Sequence, residues 1–517
     1  MHLTTLLWRA ARINPRGLAT EHSGVTRTWK EVEGRVMRLA GAYRMLGLGE
    51  GDGLAILSHN SDAYLEALFS IFAMGGVAIP LNTRFSTAEL AYCIDHSGAR
   101  VLMVDRTHAG RVAELSRMLR NPPRIVTLDG DGFLSHERLV ETPGASAPIR
   151  HDADALAGIF YTGGTTGRSK GVMLSHGNLV NNALNLQPYF GFSPQTRCLH
   201  VAPMFHIAES LSIFGVTMAA GQHLFLPKFD ALAFLEAVEA RAVSFSGLVP
   251  TMIKRVVEHE RFGDFDLASL KSLFYGGSAI LQSDLRRAVE ALPHVDFVQG
   301  YGLTETAPTI TVLEPAHHRA KAGAVTKTAS VGRPVYSVEV AILDEDGKPL
   351  ADGRSGEICV RGGTVMKGYF NDPEATAAAM HGQWFRTGDI GYLDEDGFLY
   401  VIDRAKDMII SGGENVYCIE VENVISQHPD VVECAVIGLP DAVWGERVHA
   451  VVRLRPGDTR GEDILAHCKN NLTGYKCPRS IEVVEEPLPL SAVGKISKKD
   501  LKAQRIDAAL QEKGLRS

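Results

Sequence analysis

Through about the first 330 residues, helix-like runs alternate with short apolar strand-like runs. An apolar helix-like run near 63–74 leads into Gly76-Val-Ala-Ile-Pro80. Ser86-Thr-Ala-Glu89 has the spacing of a capping box and opens the next helix, and Arg100-Val-Leu-Met-Val-Asp105 reads as the strand after it. Further strand-like runs at 242–246 and 272–275 keep the rhythm, and a β-α-β order implies sheets covered by helices. Near residue 330 the texture changes. Short apolar runs are now parted by turn signals (Asp344-Glu-Asp-Gly347, Ala351-Asp-Gly353, Asp394-Glu-Asp-Gly397), which suits a compact antiparallel β-structure. Beyond Asp403-Arg-Ala-Lys-Asp407 come a short helix (about 419–427), two strands (about 431–438 and 448–454), a helix (about 463–472) and a strand (about 480–484). The expected fold class is α/β. A large N-terminal domain of helix-covered β-sheets spans 1–403 and includes a compact β-subdomain at about 330–403. A hinge at 403–407 joins it to a small α+β domain at 408–517.

Composition narrows the functions open to such a chain. Hydrophobic residues make up 45% and charged residues 22%, the balance of a globular protein. With 53 basic and 60 acidic residues the formal charge is −7, which argues against nucleic acid as the main partner. The seven cysteines include no C-x-x-C pair, so they read as reduced intracellular thiols rather than a disulfide or zinc framework. The opening Met1-His-Leu-Thr-Thr-Leu-Leu-Trp-Arg turns polar too soon for a secretory signal. The apolar stretch 67–81 is too short to span a bilayer and reads as a buried helix followed by a buried strand. A cytoplasmic enzyme is expected, with peripheral membrane contact and homodimer formation left open.

The strongest local signal is Tyr161-Thr-Gly-Gly-Thr-Thr-Gly-Arg-Ser-Lys-Gly171. Gly163, Gly164 and Gly167 let backbone N–H groups converge on an anion, Thr162, Thr165 and Thr166 add hydroxyls, and Lys170 brings a positive charge. It is not a Walker A loop, since Gly167 is followed by Arg-Ser-Lys rather than Lys-Ser/Thr. A flexible glycine turn is the bland alternative.

That string stands in order with Ala202-Pro-Met-Phe-His-Ile207, Phe274-Tyr-Gly-Gly-Ser278, Gln299-Gly-Tyr-Gly-Leu-Thr-Glu-Thr306, Trp384-Phe-Arg-Thr-Gly-Asp389, Asp403-Arg-Ala-Lys-Asp407, Ser411-Gly-Gly-Glu-Asn415 and Pro489-Leu-Ser-Ala-Val-Gly-Lys495. Over nearly its whole length the chain resembles the adenylate-forming superfamily of acyl-CoA synthetases, peptide-synthetase adenylation domains and luciferases. Gly163 stands where serine is frequent in that family, and Ser169 where proline is frequent.

The resemblance implies an ATP-dependent acid–CoA ligase that uses magnesium, with ATP and coenzyme A as co-substrates. It makes Lys495, Thr304 and His206 the catalytic set, and Glu305, a hard anionic oxygen ligand, the magnesium residue. The 162–167 string with Lys170, then Gly276, Gly277, Ser278, Gly300, Tyr301, Gly302 and Thr304, would hold the nucleotide. Asp389, a natural clamp for two adjacent hydroxyls, would take the ribose with Arg404 beside it. Lys495 would bridge the acid and the α-phosphate, whereas Lys498, Lys499 and Lys502 read as solvated surface charges. Rotation of the small domain about Lys406 would bring Ser411, Gly412, Gly413 and Glu414 to coenzyme A.

Phe205, His206, Gly247, Tyr275 and Gly276 would line the acyl pocket, where His206 is either a satisfied buried histidine or an aromatic gate. The pocket segments carry no Lys or Arg, which favours a hydrophobic monocarboxylic acid, fatty or aryl, over a dicarboxylate. Glu209 either points to solvent or recognises a polar substituent. The competing readings are a stand-alone enzyme that loads an acyl carrier protein, a luciferase-like oxygenase, and a nucleotide-binding relative that has lost catalysis.

Overall fold

A computed structural model describes residues 1–130, 134–142, 149, 152–162, 168–319, 327–404, 407–441, 443–490 and 496–512, with side chains to 508. Four sheets carry the fold. The first has seven strands in the order Gly368–Tyr369, Lys170–Ser175, Leu156–Thr162, Val77–Pro80, Gly53–Leu57, Val101–Val104 and Arg124–Thr127. From Leu156–Thr162 onward it is parallel. The second has nine strands, and Asp296–Tyr301, Ser272–Gly276, Phe245–Leu248, Arg197–His200, Gln222–Phe225 and Leu18–His22 form its parallel middle. The third, antiparallel, pairs Val338–Leu343, Gly356–Gly362, Trp384–Leu393 and Leu399–Arg404. The fourth belongs to the C-terminal part, where Val431–Asp441 and Gly445–Leu454 form one long hairpin.

The structure is therefore α/β with a β-rich third sheet and an α+β end. The Ser86 capping box forms as its spacing requires and starts helix Thr87–Ser97. Helix Asp62–Met74 is buried along nearly its whole length and runs into the buried strand Val77–Pro80. The strand expected at 242–246 begins later, at Phe245, because Ala242 holds φ +48° as the left-handed cap of helix Ala231–Arg241. One strand was not anticipated. Lys170–Ser175 pairs antiparallel with Leu156–Thr162 and stands between the Gly-Thr string and the helix that begins at His176. Among the described residues no helix is long and apolar enough to cross a membrane.

Helices Trp29–Met45 and Asp62–Met74 share one core cluster with Leu54, Ile56 and Met103 of the first sheet and Phe225 of the second. One buried carboxylate inside this packing is paired twice over. Glu66, 1% exposed, accepts from His136 Nε2 at 2.8 Å and from Arg35 Nε at 2.7 Å, which ties three helices together. Burial pushes the Glu66 carboxyl up, but these two donors outweigh it and hold the group at about 2. Its contribution to stability is thus complete above its ordinary value of 4.5 and is lost as pH falls from there towards about 2. Glu66→Gln should lower the unfolding free energy by about 3 kcal/mol near neutral pH. In urea titrations the gap between wild type and variant should close as the pH drops through that interval, and a gap that does not change with pH would contradict the assignment.

Candidate active site

The residues at either end of the Gly-Thr string are paired in the first sheet, Tyr161 with Gly171 and Thr162 with Lys170. The Thr162 hydroxyl lies 3.5 Å from the Lys170 carbonyl oxygen. Gly163, Gly164, Thr165, Thr166 and Gly167 lie outside the described residues. Beside the hairpin, strand Gly368–Tyr369 brings the Tyr369 ring under Lys170, whose Nζ is 4.8 Å from the ring centre. Tyr369 donates its hydroxyl to Glu305 Oε1 at 2.9 Å, and the Met366 N–H donates to the Glu305 backbone oxygen. Burial and the neighbouring Glu305 carboxylate raise the Tyr369 hydroxyl far above its ordinary range, so it stays a donor. Lys170, Tyr369 and Glu305 form one row.

Glu305 belongs to the single turn Thr304–Thr306, which follows strand Asp296–Tyr301 of the second sheet. Four residues earlier Tyr301 reaches in another direction, donating to Asp389 Oδ2 at 2.7 Å. Asp389 is 4% exposed and pairs across the third sheet with Arg404, whose Nε stands 3.3 Å from Oδ1. Burial, then Asp389, keeps the Tyr301 hydroxyl protonated. Tyr301, Asp389 and Arg404 are thus brought together, as are Lys170 and Glu305.

Glycines provide the room between these clusters. Gly276 and Gly300 face each other on adjacent strands, and a β-carbon at Gly276 would stand 2.4 Å from the Gly300 oxygen. At Gly302 it would stand 1.8 Å from the Pro308 oxygen. Gly277 takes φ +78°, which favours glycine, and Ser278 is half-buried behind it. Gly247 shares a face with Phe274. Tyr275, expected in the acyl pocket, is corrected by strand alternation. Its ring lies on the opposite face, in the core with Leu199, Leu248 and Phe297, and its hydroxyl meets Gln299 and His318 at 3.1 and 2.8 Å.

The loop carrying Phe205 and His206 is clamped from the first sheet. Asn60, 2% exposed, donates to the Ala202 oxygen at 2.9 Å and accepts from the Met204 N–H at 2.8 Å. The rings of Phe205 (buried) and His206 (half-buried) are 4.6 Å apart. Glu209 does not point to solvent. It is 2% exposed and its Oε1 lies 2.5 Å from His200 Nδ1.

In the C-terminal part, Ser411 and Glu414 flank the hairpin whose tip is Gly412 and Gly413, at φ +62° and +86°. The Gly412 N–H donates to the Trp444 oxygen at 2.8 Å, and the indole ring covers that glycine. Lys406 and Lys495 lie outside the described residues. Leu490 and Ile496 form a bridge, and the Ser497 N–H donates to the Pro489 oxygen at 2.8 Å. Lys498, expected in solvent, is instead drawn in to Glu422 Oε1 at 2.8 Å. Burial depresses its ammonium and Glu422 more than restores it. Lys499 is exposed, and Lys502 pairs with Glu446 at the surface.

Tyr369 and Asn60, which hold Glu305 and the His206 loop, were not singled out by sequence reasoning. The available signals were an aromatic just after a glycine, and a polar Ser58-His-Asn-Ser61 run at the end of a buried strand.

Comparison with known proteins gives the family. Residues 7–370 match the AMP-binding enzyme family and residues 420–495 the AMP-binding enzyme C-terminal domain. The chain is 40% identical over 498 residues to a feruloyl-CoA synthase of Amycolatopsis sp, covering 96% of this chain and 97% of that one. It is 36% identical over 508 residues to a 2-succinylbenzoate–CoA ligase of Geobacillus kaustophilus, covering 96% of each. The crystal structure of ATP-bound MatB from Rhodopseudomonas palustris superimposes with a TM-score of 0.88 at 31% identity, covering 98% of this chain and all of that one (100%). The chain belongs to the AMP-binding enzyme family.

Proposed function

We propose that this chain is an ATP-dependent acid–CoA ligase acting on an aryl or fatty monocarboxylic acid. One observation carries the reading. Tyr301 and Glu305, on one turn, are tied to Asp389 with Arg404 and to Tyr369 with Lys170. The first cluster suits a ribose, and the second suits the charged end of the same nucleotide.

In the first step a carboxylate oxygen of the acid attacks the α-phosphorus, the bond to the β-phosphate breaks, and pyrophosphate leaves. No base is needed, because the acid is already ionised at neutral pH. In the second step the sulfur of coenzyme A attacks the acyl carbon, the thiol proton is lost, and AMP departs. Asp389 would accept from the ribose hydroxyls while Tyr301 and Arg404 hold its carboxylate in place. Thr304 would meet the α-phosphate or the acid. Glu305 fits magnesium, since Tyr369 takes Oε1 and, among the described residues, no donor takes Oε2. Bound there, the ion would neutralise phosphate oxygens. Lys495 would bridge the acid and the α-phosphate in the first step. A turn of the C-terminal part about Lys406 would then exchange it for the Ser411–Glu414 loop and open a path for the thiol. All seven cysteines are free and buried, which suits work in the cytoplasm.

The aryl side of the substrate range is supported by the names of the two relatives above. The succinylbenzoate ligase shows that a second carboxylate is handled within the family, although the pocket segments of this chain bring no cation.

Incubation with ATP, an aryl acid and coenzyme A should give AMP, pyrophosphate and an acyl-CoA thioester. A stable adenylate without thioester would point to a carrier protein as acceptor. Lys495→Ala should slow pyrophosphate release about 100-fold or more while still forming thioester from supplied acyl-AMP, and a wild-type adenylation rate in that variant would contradict the role. Gly302→Ala must displace the turn that sets Tyr301 and Glu305. Its adenylation rate should fall about 100-fold, and an unchanged rate would remove the turn from the account.

A further inference from the structure

One buried carboxylate has no part in the steps above. Glu209 ends the short turn Ile207–Glu209, directly after His206. It heads a row of fully buried groups whose protons can be counted. Thr217 Oγ1 donates to the Ile213 oxygen at 2.7 Å, so its lone pair faces His223 Nε2 at 3.1 Å, which must donate. His223 Nδ1 is then an acceptor and takes the proton of His200 Nε2 at 2.8 Å. One proton remains, held between His200 Nδ1 and Glu209 Oε1, 2.5 Å apart. The row is net neutral whichever of the two holds that proton, which is how a carboxylate stands here without a cation.

That accounts for Oε1. Oε2 faces Gly247 and lies 3.5 Å from where a β-carbon there would stand, with Ser212 Oγ at 3.8 Å and Phe274 Cδ1 at 3.9 Å from the same point. Gly247, Phe274 and Val298 are paired neighbours on one sheet face. Two residues further along, about 7 Å at the rise of a strand, Gly276 meets Gly300 at the foot of the Tyr301–Thr304 turn. Aromatic rings wall this region. Phe192 and Phe245 are 4.8 Å apart, and Phe190 and Phe274 5.7 Å apart. These rings form an apolar cluster over the glycines, and the polar atoms that meet Gly247 there are Glu209 Oε2 and the Ser212 hydroxyl, about one aryl ring away from the nucleotide turn.

We propose that Glu209 is a specificity residue whose Oε2 accepts a hydrogen bond from a phenolic hydroxyl on the far side of an aryl monocarboxylic acid. This rests on the acid-activating function above and names its substrate class. With its proton committed on the Oε1 side, Oε2 has none to offer, so it takes a donor and repels a second carboxylate. An aliphatic tail at this depth would leave it without a partner, and a site built for a hydroxyl rejects analogues that lack one.

The test compares kcat/KM for thioester formation with three matched aryl acids bearing a para hydroxyl, a para methoxyl or hydrogen. Wild type should prefer the hydroxyl acid about 10- to 100-fold. The methoxyl acid, which keeps the oxygen but cannot donate, should be no better than the unsubstituted one. Glu209→Gln offers a weaker neutral acceptor and should cut the preference about tenfold. A wild-type preference within twofold of unity, or one retained in Glu209→Gln, overturns the proposal and leaves the ligase function standing. If no acid yields pyrophosphate or thioester, the ligase function itself fails. Should Glu209→Gln not fold, as judged by its melting curve, the three acids with wild type decide alone.

Discussion

The close approach of Gly302 to the Pro308 carbonyl is the constraint on which the site depends. No side chain fits at that point, and the tight turn it permits sends two residues four positions apart in different directions. Tyr301 goes to the third sheet and Glu305 to the edge of the first. A looser turn would still leave a carboxylate and a phenol nearby, but not held against Asp389 and Tyr369. Because misplacement by about 1 Å is enough to cost a catalytic arrangement much of its rate, the glycine acts by geometry alone, having no side chain.

The same logic runs through the parallel strands around it. Gly276 and Gly300 meet backbone to backbone, the Phe274 ring covers Gly300, and Gly247 lies beneath Glu209, Ser212 and Phe274. Where glycines make space, the surrounding polar groups are over-determined. Tyr301 is fixed by Asp389, Glu305 by Tyr369, and the His206 loop by Asn60. Such supporting bonds keep side chains in their working geometry before anything binds. Sheet ends and turns from three sheets thus share one site, consistent with ligands of open α/β sheets lying at the carboxyl ends of their strands.

Much of this was legible in the amino-acid order, and the reasons for success and failure are physical. Repeated alternation of helix and strand patterns announced the α/β core. The Gly-Tyr-Gly-Leu-Thr-Glu run announced its turn, because a turn of that closeness demands glycine at set positions. What stayed hidden depends on distant pairing. Tyr369 acquires its meaning from Glu305, 64 residues away, and Asn60 from Met204, 144 away. Tyr275 was placed on the wrong side because a motif does not reveal which of two alternating faces meets the pocket. Lys498 looked like its solvated neighbours, yet Glu422 draws it inward. Strand Lys170–Ser175 is short and follows a glycine-rich string, so local pattern alone did not separate the two.

The central claim is that one carboxylate oxygen of the acid ends on AMP. Supplying the acid with both carboxylate oxygens as ¹⁸O and examining the products by mass spectrometry tests it directly. An acyl-adenylate route gives AMP carrying one ¹⁸O, unlabelled pyrophosphate, and a thioester retaining the other. Label in a released phosphate, or AMP without label, would contradict an acyl-adenylate route.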